Sequence, residues 1–213
     1  MTKKERAAIV LQKLAERYPH PETHLEAHNP WELTIATVLA AQCTDKRVNM
    51  VTPHLFARWA GPAELAKAPV GEVEEVIRST GFYRNKAKNI VAAAKRVMEV
   101  YGGQVPCTMQ DLITLPGVAR KTANVVLWGS FGINEGLAVD THVGRIAYRL
   151  GLTKHKDPVK VEQDLMALFP KPEWGNVNHR MVWFGRDVCD AKKPLCGACE
   201  MAAICPKLEY TKG

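Results

Sequence analysis

Four of the chain's six cysteines, Cys189, Cys196, Cys199 and Cys205, fall in its last 25 residues with the spacing C-x6-C-x2-C-x5-C. Together they make a ligand set for one metal centre. A zinc ribbon sets two CxxC knuckles across a longer loop, whereas here a single CxxC is flanked by one distant cysteine on each side. A cubane iron–sulfur cluster fits that pattern better, because a cluster is wider than a single ion and needs its sulfurs further apart. Zinc stands as the second reading and a disulfide staple as the third. The start Met1-Thr2-Lys3-Lys4 leads into a short apolar run that Gln12 and Lys13 interrupt, so no signal peptide is expected. In the reducing cytosol that this implies, clustered cysteines mark metal more often than disulfides. Cys43 and Cys107, isolated in sequence, read as small core residues.

A chain of 213 residues can bury a substantial core, as one domain or two small ones. No apolar run approaches the ~20 residues that crossing a bilayer takes, so no membrane association is expected. Lysine and arginine exceed aspartate and glutamate by 29 to 22, and the resulting net charge of +7 favours a polyanionic partner.

Hydrophobic periodicity is helical almost throughout. Ala7, Val10, Leu11, Leu14 and Tyr18 form one stripe, and Ile90, Val91, Ala94, Val97, Met98 and Tyr101 another. Val73, Val76 and Ile77 mark a short amphipathic helix, while Val143, Ile146, Ala147 and Leu150, then Val161, Leu165 and Leu168, continue the pattern. Trp31 to Ala41 is apolar on nearly every side, which reads as a central helix surrounded by others. No strand of useful length alternates with period two. An all-α protein of roughly ten helices is therefore predicted, with short breaks and no long linker. The richest break, Gly132 to Gly136, is the best candidate for a seam between two helical lobes.

One break carries chemistry. Thr108-Met109-Gln110-Asp111 resembles a capping box with Asp in place of Glu, predicting a short helix as far as Leu115. Pro116-Gly117-Val118-Ala119 stops it, and a second helix starts near Arg120. Such a turn can aim backbone N–H groups at a phosphate without reading its base, and Gly117, Ala119 and Arg120 are the residues placed to do so. An ordinary packing turn is the plain alternative. Lys121 falls in the first helical turn, where the macrodipole and Arg120 both disfavour an ammonium. A neutral amine there is a nucleophile able to form a Schiff base with a sugar aldehyde; a solvated lysine is the other reading. Asp140, in Val139-Asp140-Thr141-His142-Val143, could cap the helix that begins near His142. Thr141 offers that cap as well, which frees Asp140 to stabilise positive charge on a sugar and accept a proton.

Leu115-Pro116-Gly117-Val118-Ala119-Arg120-Lys121-Thr122-Ala123, then Val139-Asp140-Thr141-His142-Val143, then the four cysteines, resemble in order the motifs of the bacterial endonuclease III family. These are bifunctional DNA glycosylases with AP-lyase activity, in the helix-hairpin-helix glycosylase superfamily. The resemblance runs from Ala40-Ala41-Gln42-Cys43-Thr44-Asp45 to Cys205. It implies two helical lobes, residues 22–132 with the hairpin and residues 1–21 plus 133–213 with a C-terminal [4Fe-4S] cluster loop. It implies removal of oxidised pyrimidines by Lys121 attack on C1′ of a flipped-out nucleotide, assisted by Asp140, and β-elimination that nicks the strand 3′ to the abasic site. Gln42 would fill the space beside the orphaned base, and Phe82 would wedge between base pairs. Read without the resemblance, Gln42 is a polar helix-end residue and Phe82 a core aromatic.

Two departures stand out. Ala119 replaces the family hairpin's usual second glycine, at a cost of about 1 kcal/mol if its φ is positive. Phe82 stands where the best-known members carry leucine. The cluster's expected task is structural: it shapes the Cys189–Cys196 loop so that Lys192 and Lys193 meet the DNA backbone, although a solvated lysine pair is the plain reading. The implied partner is double-stranded DNA carrying damaged bases or abasic sites, met by a monomer in the cytoplasm at the nucleoid; no heptad suggests an oligomer. One rival is a mismatch-specific adenine glycosylase, disfavoured by Lys121 and by an end eight residues after Cys205. The other is a non-catalytic iron–sulfur module in which Lys121 only touches phosphate.

Overall fold

The computed structural model describes residues 1–210. Its α-helices run, in chain order, α1 (Lys3–Arg17), α2 (Pro30–Leu39), α3 (Asp45–Arg58), α4 (Pro62–Leu65), α5 (Val70–Ile77), α6 (Tyr83–Tyr101), α7 (Met109–Leu112), α8 (Arg120–Phe131), α9 (Thr141–Arg149), α10 (Pro158–Leu168) and α11 (Trp174–Asp187). No strand occurs among the described residues, so the all-α expectation holds. Two units separate by their internal packing: Thr23–Ile133, the hairpin lobe, and Met1–Glu22 with Asn134–Gly213, the cysteine lobe. Each has its own apolar core.

The hairpin lobe is built around α2. Asn29 caps it by accepting the Glu32 N–H, and Pro30 at the first helical position fits because its missing N–H would have had no partner there. Trp31 and every residue from Leu33 to Leu39 are buried, so α2 is enclosed on all sides by α3, α6 and α8. The two threonines that this encloses turn their hydroxyls back on the helix, Thr34 donating to the Pro30 carbonyl and Thr37 to that of Leu33, each at 2.7 Å. Gly129 permits the close approach of α8, since a Cβ there would lie 2.8 Å from Leu33 Cδ2. Helices α4 and α5 pack on α6, whose inner face is Ala87, Ile90, Val91, Ala94 and Val97. Burying each large side chain of such a core contributes about 2 kcal/mol.

The cysteine lobe joins the start of the chain to its second half. Thr2 and Glu5 form a reciprocal capping box that starts α1, and the stripe Ala7, Val10 and Leu14 packs against α10 and α11. Helix α11 also packs against α9, around Val143, Ile146, Val177, Met181 and Phe184. Polar bridges reinforce this join. Arg180 Nε donates to the Tyr18 carbonyl at 3.0 Å, and the Tyr18 hydroxyl donates to Asp187 Oδ2 at 2.9 Å.

Candidate functional site

In the hairpin lobe, α7 is a single turn. Thr108 caps it by accepting the Asp111 N–H at 3.2 Å, and Asp111, too short to reach back to the cap's own N–H, takes the Thr108 hydroxyl instead at 2.7 Å. The helix ends at Leu112 rather than Leu115, because the Thr114 and Leu115 amides bond to the carbonyls three residues back and tighten the chain. Gly117 then reverses direction at φ 84°. A Cβ at that position would sit 3.0 Å from Asn89 Cβ and 3.2 Å from Val38 Cγ1, so conformation favours glycine and any side chain would also press both neighbours back by a few tenths of an ångström. Ala119 is the N-cap of α8 with φ −91° and ψ 171°. Its backbone is extended, so alanine carries no left-handed strain and the family's second glycine is dispensable here. Arg120 and Lys121 are both exposed in the first turn of α8, where backbone N–H groups without helical partners lie at the positive end of the dipole.

Two further turns of this lobe carry Gln42 and Phe82. Gln42 follows the end of α2 with φ 53°, and Phe82 precedes α6 with φ 48°. Both are exposed, Phe82 by 64%. Phe82 is therefore no core aromatic, contrary to what its type alone suggests. Left-handed backbone in a bulky residue costs roughly 1 kcal/mol or more and persists only where the surroundings impose it.

In the cysteine lobe, Asp140 is itself the N-cap of α9. Its Oδ1 accepts the N–H groups of His142 and Val143, both at 2.8 Å, and Thr141 is the first helical residue rather than the cap. The expectation that Thr141 relieves Asp140 of capping is thus corrected: an aspartate side chain reaches two amides from one position further out. Both bonds fall on Oδ1. Beside it, His142 Nδ1 meets Arg145 Nη2 at 3.1 Å, and burial holds His142 below the usual imidazole range against the pull of the Asp140 charge. The histidine is a packing residue of α9, pressed close to Gly185.

The four tail cysteines line one cavity of about 340 Å³ together with Arg149, Leu150 and Leu195. Among the described residues, no three His, Cys, Asp or Glu side chains converge closely enough to hold a single metal ion. Four thiols around a space of that size fit a group several atoms across, and N–H donors already address two of the sulfurs: Arg149 Nη1 to Cys189 Sγ and the Lys207 amide to Cys205 Sγ, both at 3.4 Å. Burial pushes the Cys199 and Cys205 thiols up, so loading a metal releases protons from them. The loop between Cys189 and Cys196 also has hydrogen bonds of its own. Asp190 Oδ1 accepts the amides of Lys192 and Lys193, at 2.8 and 2.9 Å, leaving both side chains exposed. Of the two isolated cysteines, Cys43 is half-buried against the lobe's core, but Cys107 is exposed, which corrects its reading as a core residue.

Sequence reasoning passed over three residues that organise these elements. Arg149 binds the carbonyls of Asp190 and Ala191 at 2.7 and 2.8 Å, and Arg145 binds that of Cys189 at 2.9 Å. Lys86 is 5% exposed in α6. The signal for Lys86 was its position four residues before Ile90, on the buried stripe.

A family model described as HhH-GPD superfamily base excision DNA repair protein matches residues 35–171. Endonuclease III of Synechocystis sp. is 51% identical over 208 residues, covering 98% of this chain and 95% of that protein. A solved non-covalent complex of endonuclease III with DNA superposes with a TM-score of 0.92 at 43% identity, and a trapped covalent endonuclease III–DNA intermediate with 0.93 at 43%, each covering 97% of both chains.

Proposed function

Because the chain belongs to the endonuclease III family, within the HhH-GPD superfamily of base excision DNA repair proteins, we infer that it is a bifunctional DNA glycosylase and AP lyase. It removes oxidised pyrimidines through a lysine Schiff base and cleaves the strand 3′ to the abasic site by β-elimination. The observation that carries this reading is Lys121, exposed in the first turn of α8 directly after the Leu115–Ala119 turn.

Lys121 Nζ attacks C1′ of a nucleotide rotated out of the stack, since a stacked sugar is shielded from the approach. The C1′–N bond to lysine forms as the glycosidic bond breaks, and the base leaves with the bonding pair and takes up a proton. Opening of the C1′–O4′ bond gives the protonated Schiff base. Loss of a C2′ proton then expels the 3′ phosphate, and water releases the unsaturated aldehyde and restores the amine. Asp140 holds His142 and Val143 through Oδ1, and its Oδ2 is the atom assigned to proton transfer and to offsetting the positive charge that grows on the sugar.

The remaining site residues position DNA. Gly117, Ala119 and Arg120 grip a phosphate with hairpin backbone and guanidinium. Gln42 occupies the space beside the orphaned base, and Phe82 wedges into the stack. Cys189, Cys196, Cys199 and Cys205 hold a [4Fe-4S] cluster, whose contribution when bound is to fix the loop that presents Lys192 and Lys193 to the backbone. We assign the hairpin functions to residues 22–132 and the cluster functions to residues 1–21 with 133–213. The enzyme acts as a monomer on double-stranded DNA at the cytoplasmic nucleoid; no helix among the described residues is long and apolar enough to cross a membrane.

Borohydride trapping on duplex DNA with one abasic site tests the assignment. Wild type gives a covalent adduct on a denaturing gel, and Lys121→Ala binds the same duplex without forming one. A wild-type protein that binds but yields no adduct makes the chain a binding module or a monofunctional glycosylase.

A further inference from the structure

Lys86 lies under the two strained turns. Its ammonium donates to the Leu39 carbonyl and to the Thr80 carbonyl, each at 2.8 Å. Leu39 ends α2 three residues before Gln42, and Thr80 ends a 3-10 turn (Arg78–Thr80) two residues before Phe82. The Lys86 backbone amide also donates to the Phe82 carbonyl at 3.1 Å. One residue therefore ties the Phe82 turn at both ends and reaches across to the end of α2. Three non-glycine residues have positive φ among the described residues, and two of them are Gln42 and Phe82.

A buried cation with no carboxylate against it is an expensive way to join two helices. Burial pulls Lys86 below the ordinary lysine range, and the nearby Cys43 thiol opposes that only in part. Packing alone would favour methionine at this position. What lysine adds is donors for two helix-end carbonyls, which carry the negative end of their helical dipoles and would otherwise be buried without partners. With those carbonyls fixed, the chain beyond each has little room to relax out of the left-handed conformation.

We propose that Lys86 is a positioning residue that locks the Gln42 and Phe82 turns into one rigid probe, so that both side chains meet the DNA stack together. The proposal rests on the reading of those two residues as the ones that enter the duplex. Lys86 touches no DNA and does not act on the sugar. Its loss slows base removal, which requires the stack to be opened, more than it slows nicking at a site where the base is already gone.

The test uses the cluster-loaded full-length protein and duplexes carrying 2-aminopurine opposite either an oxidised pyrimidine or an abasic site. Wild type unstacks the probe on binding and its fluorescence rises. Lys86→Met, checked for folding by circular dichroism and melting, loses most of that rise, and its base-removal kcat falls by about tenfold while abasic nicking changes less than about threefold. Equal losses on the two substrates, or an undiminished fluorescence rise in the folded variant, overturn the proposal. Should Lys86→Met not fold, Lys86→Gln, whose shorter neutral donor cannot span both carbonyls, carries the same comparison with an intermediate loss expected. Phe82→Ala separates the two levels. If it abolishes the rise and the Lys86 variants do not, Lys86 has no positioning role; if it leaves the rise intact, the wedge reading itself has failed.

Discussion

The two lobes hold themselves together by different means. In the hairpin lobe the buried polar residues are four threonines, Asn124 and Lys86, set in a continuous apolar core around α2. In the cysteine lobe Arg145, Glu162 and Arg180 are buried as well, with Thr153, Asn178 and His179, and guanidinium groups bond to backbone carbonyls across segments far apart in sequence. The first lobe is fixed mainly by packing, with Lys86 as its one buried cation, bonded to two turn carbonyls. The second is assembled from two separated stretches of chain and is fixed by polar bridges that a missing partner weakens at once. A ligand that ties its last segment down is therefore worth more to the second lobe than to the first.

Removing that ligand is the largest test of the contrast. Cys199→Ser, or chelation of the iron of the proposed cluster, should cost the cysteine lobe its ordered tail and several kcal/mol of stability, because metal binding and folding of such a segment are one free energy. Limited proteolysis should then cut first within residues 189–210, while the segment around α2 stays protected. Equal susceptibility of both lobes would break the comparison, since it would mean that the cluster supports the hairpin lobe just as much.

Asp140 gives the next largest effect and separates capping from chemistry. Asparagine caps a helix about as well as aspartate, whereas alanine loses roughly 1 kcal/mol. Asp140→Asn should keep the melting temperature of the cysteine lobe and slow base removal by about 10²-fold or more, the range of a lost proton-transfer group. Asp140→Ala should be slow and also less stable. If Asp140→Asn turns over at the wild-type rate, the residue is only a cap.

How much of this was legible in the sequence follows the same division. Helical periodicity yields the fold, because stripes such as Val143, Ile146, Ala147 and Leu150 are what burying one face demands. The enclosed helix α2 was readable as well, from a run that is apolar on nearly every side. Backbone conformation was not. Nothing in the residue types Gln and Phe signals φ near 50°, since such a state is set by tertiary surroundings that no local pattern encodes. The cap at Asp140 was misassigned by one position because Asp and Thr both cap well, and only the true boundary decides between them. The cysteine spacing pointed to a metal centre, but Arg149 and Asp190, which shape the same loop, belong to no local pattern.

The smallest effects should come from the hairpin, where two neighbouring small residues differ in kind. Gly117 has φ 84° and only tight space for a Cβ, so Gly117→Ala combines left-handed strain of about 1 kcal/mol with a small displacement of Asn89 or Val38. A loss of about 2 kcal/mol is expected in denaturant unfolding, with weaker binding to undamaged duplex as the turn shifts. Ala119 has φ −91°, which any residue adopts, so Ala119→Gly should gain nothing in the folded state and lose up to about 1 kcal/mol by loosening the unfolded chain. Restoring the family's second glycine is then mildly destabilising, and DNA affinity should stay within about twofold of wild type, since the turn keeps its conformation. Tighter binding by Ala119→Gly would show that the extended backbone at Ala119 is itself a constraint on the hairpin, and that this lobe too pays for its surface geometry at a second position besides Gly117.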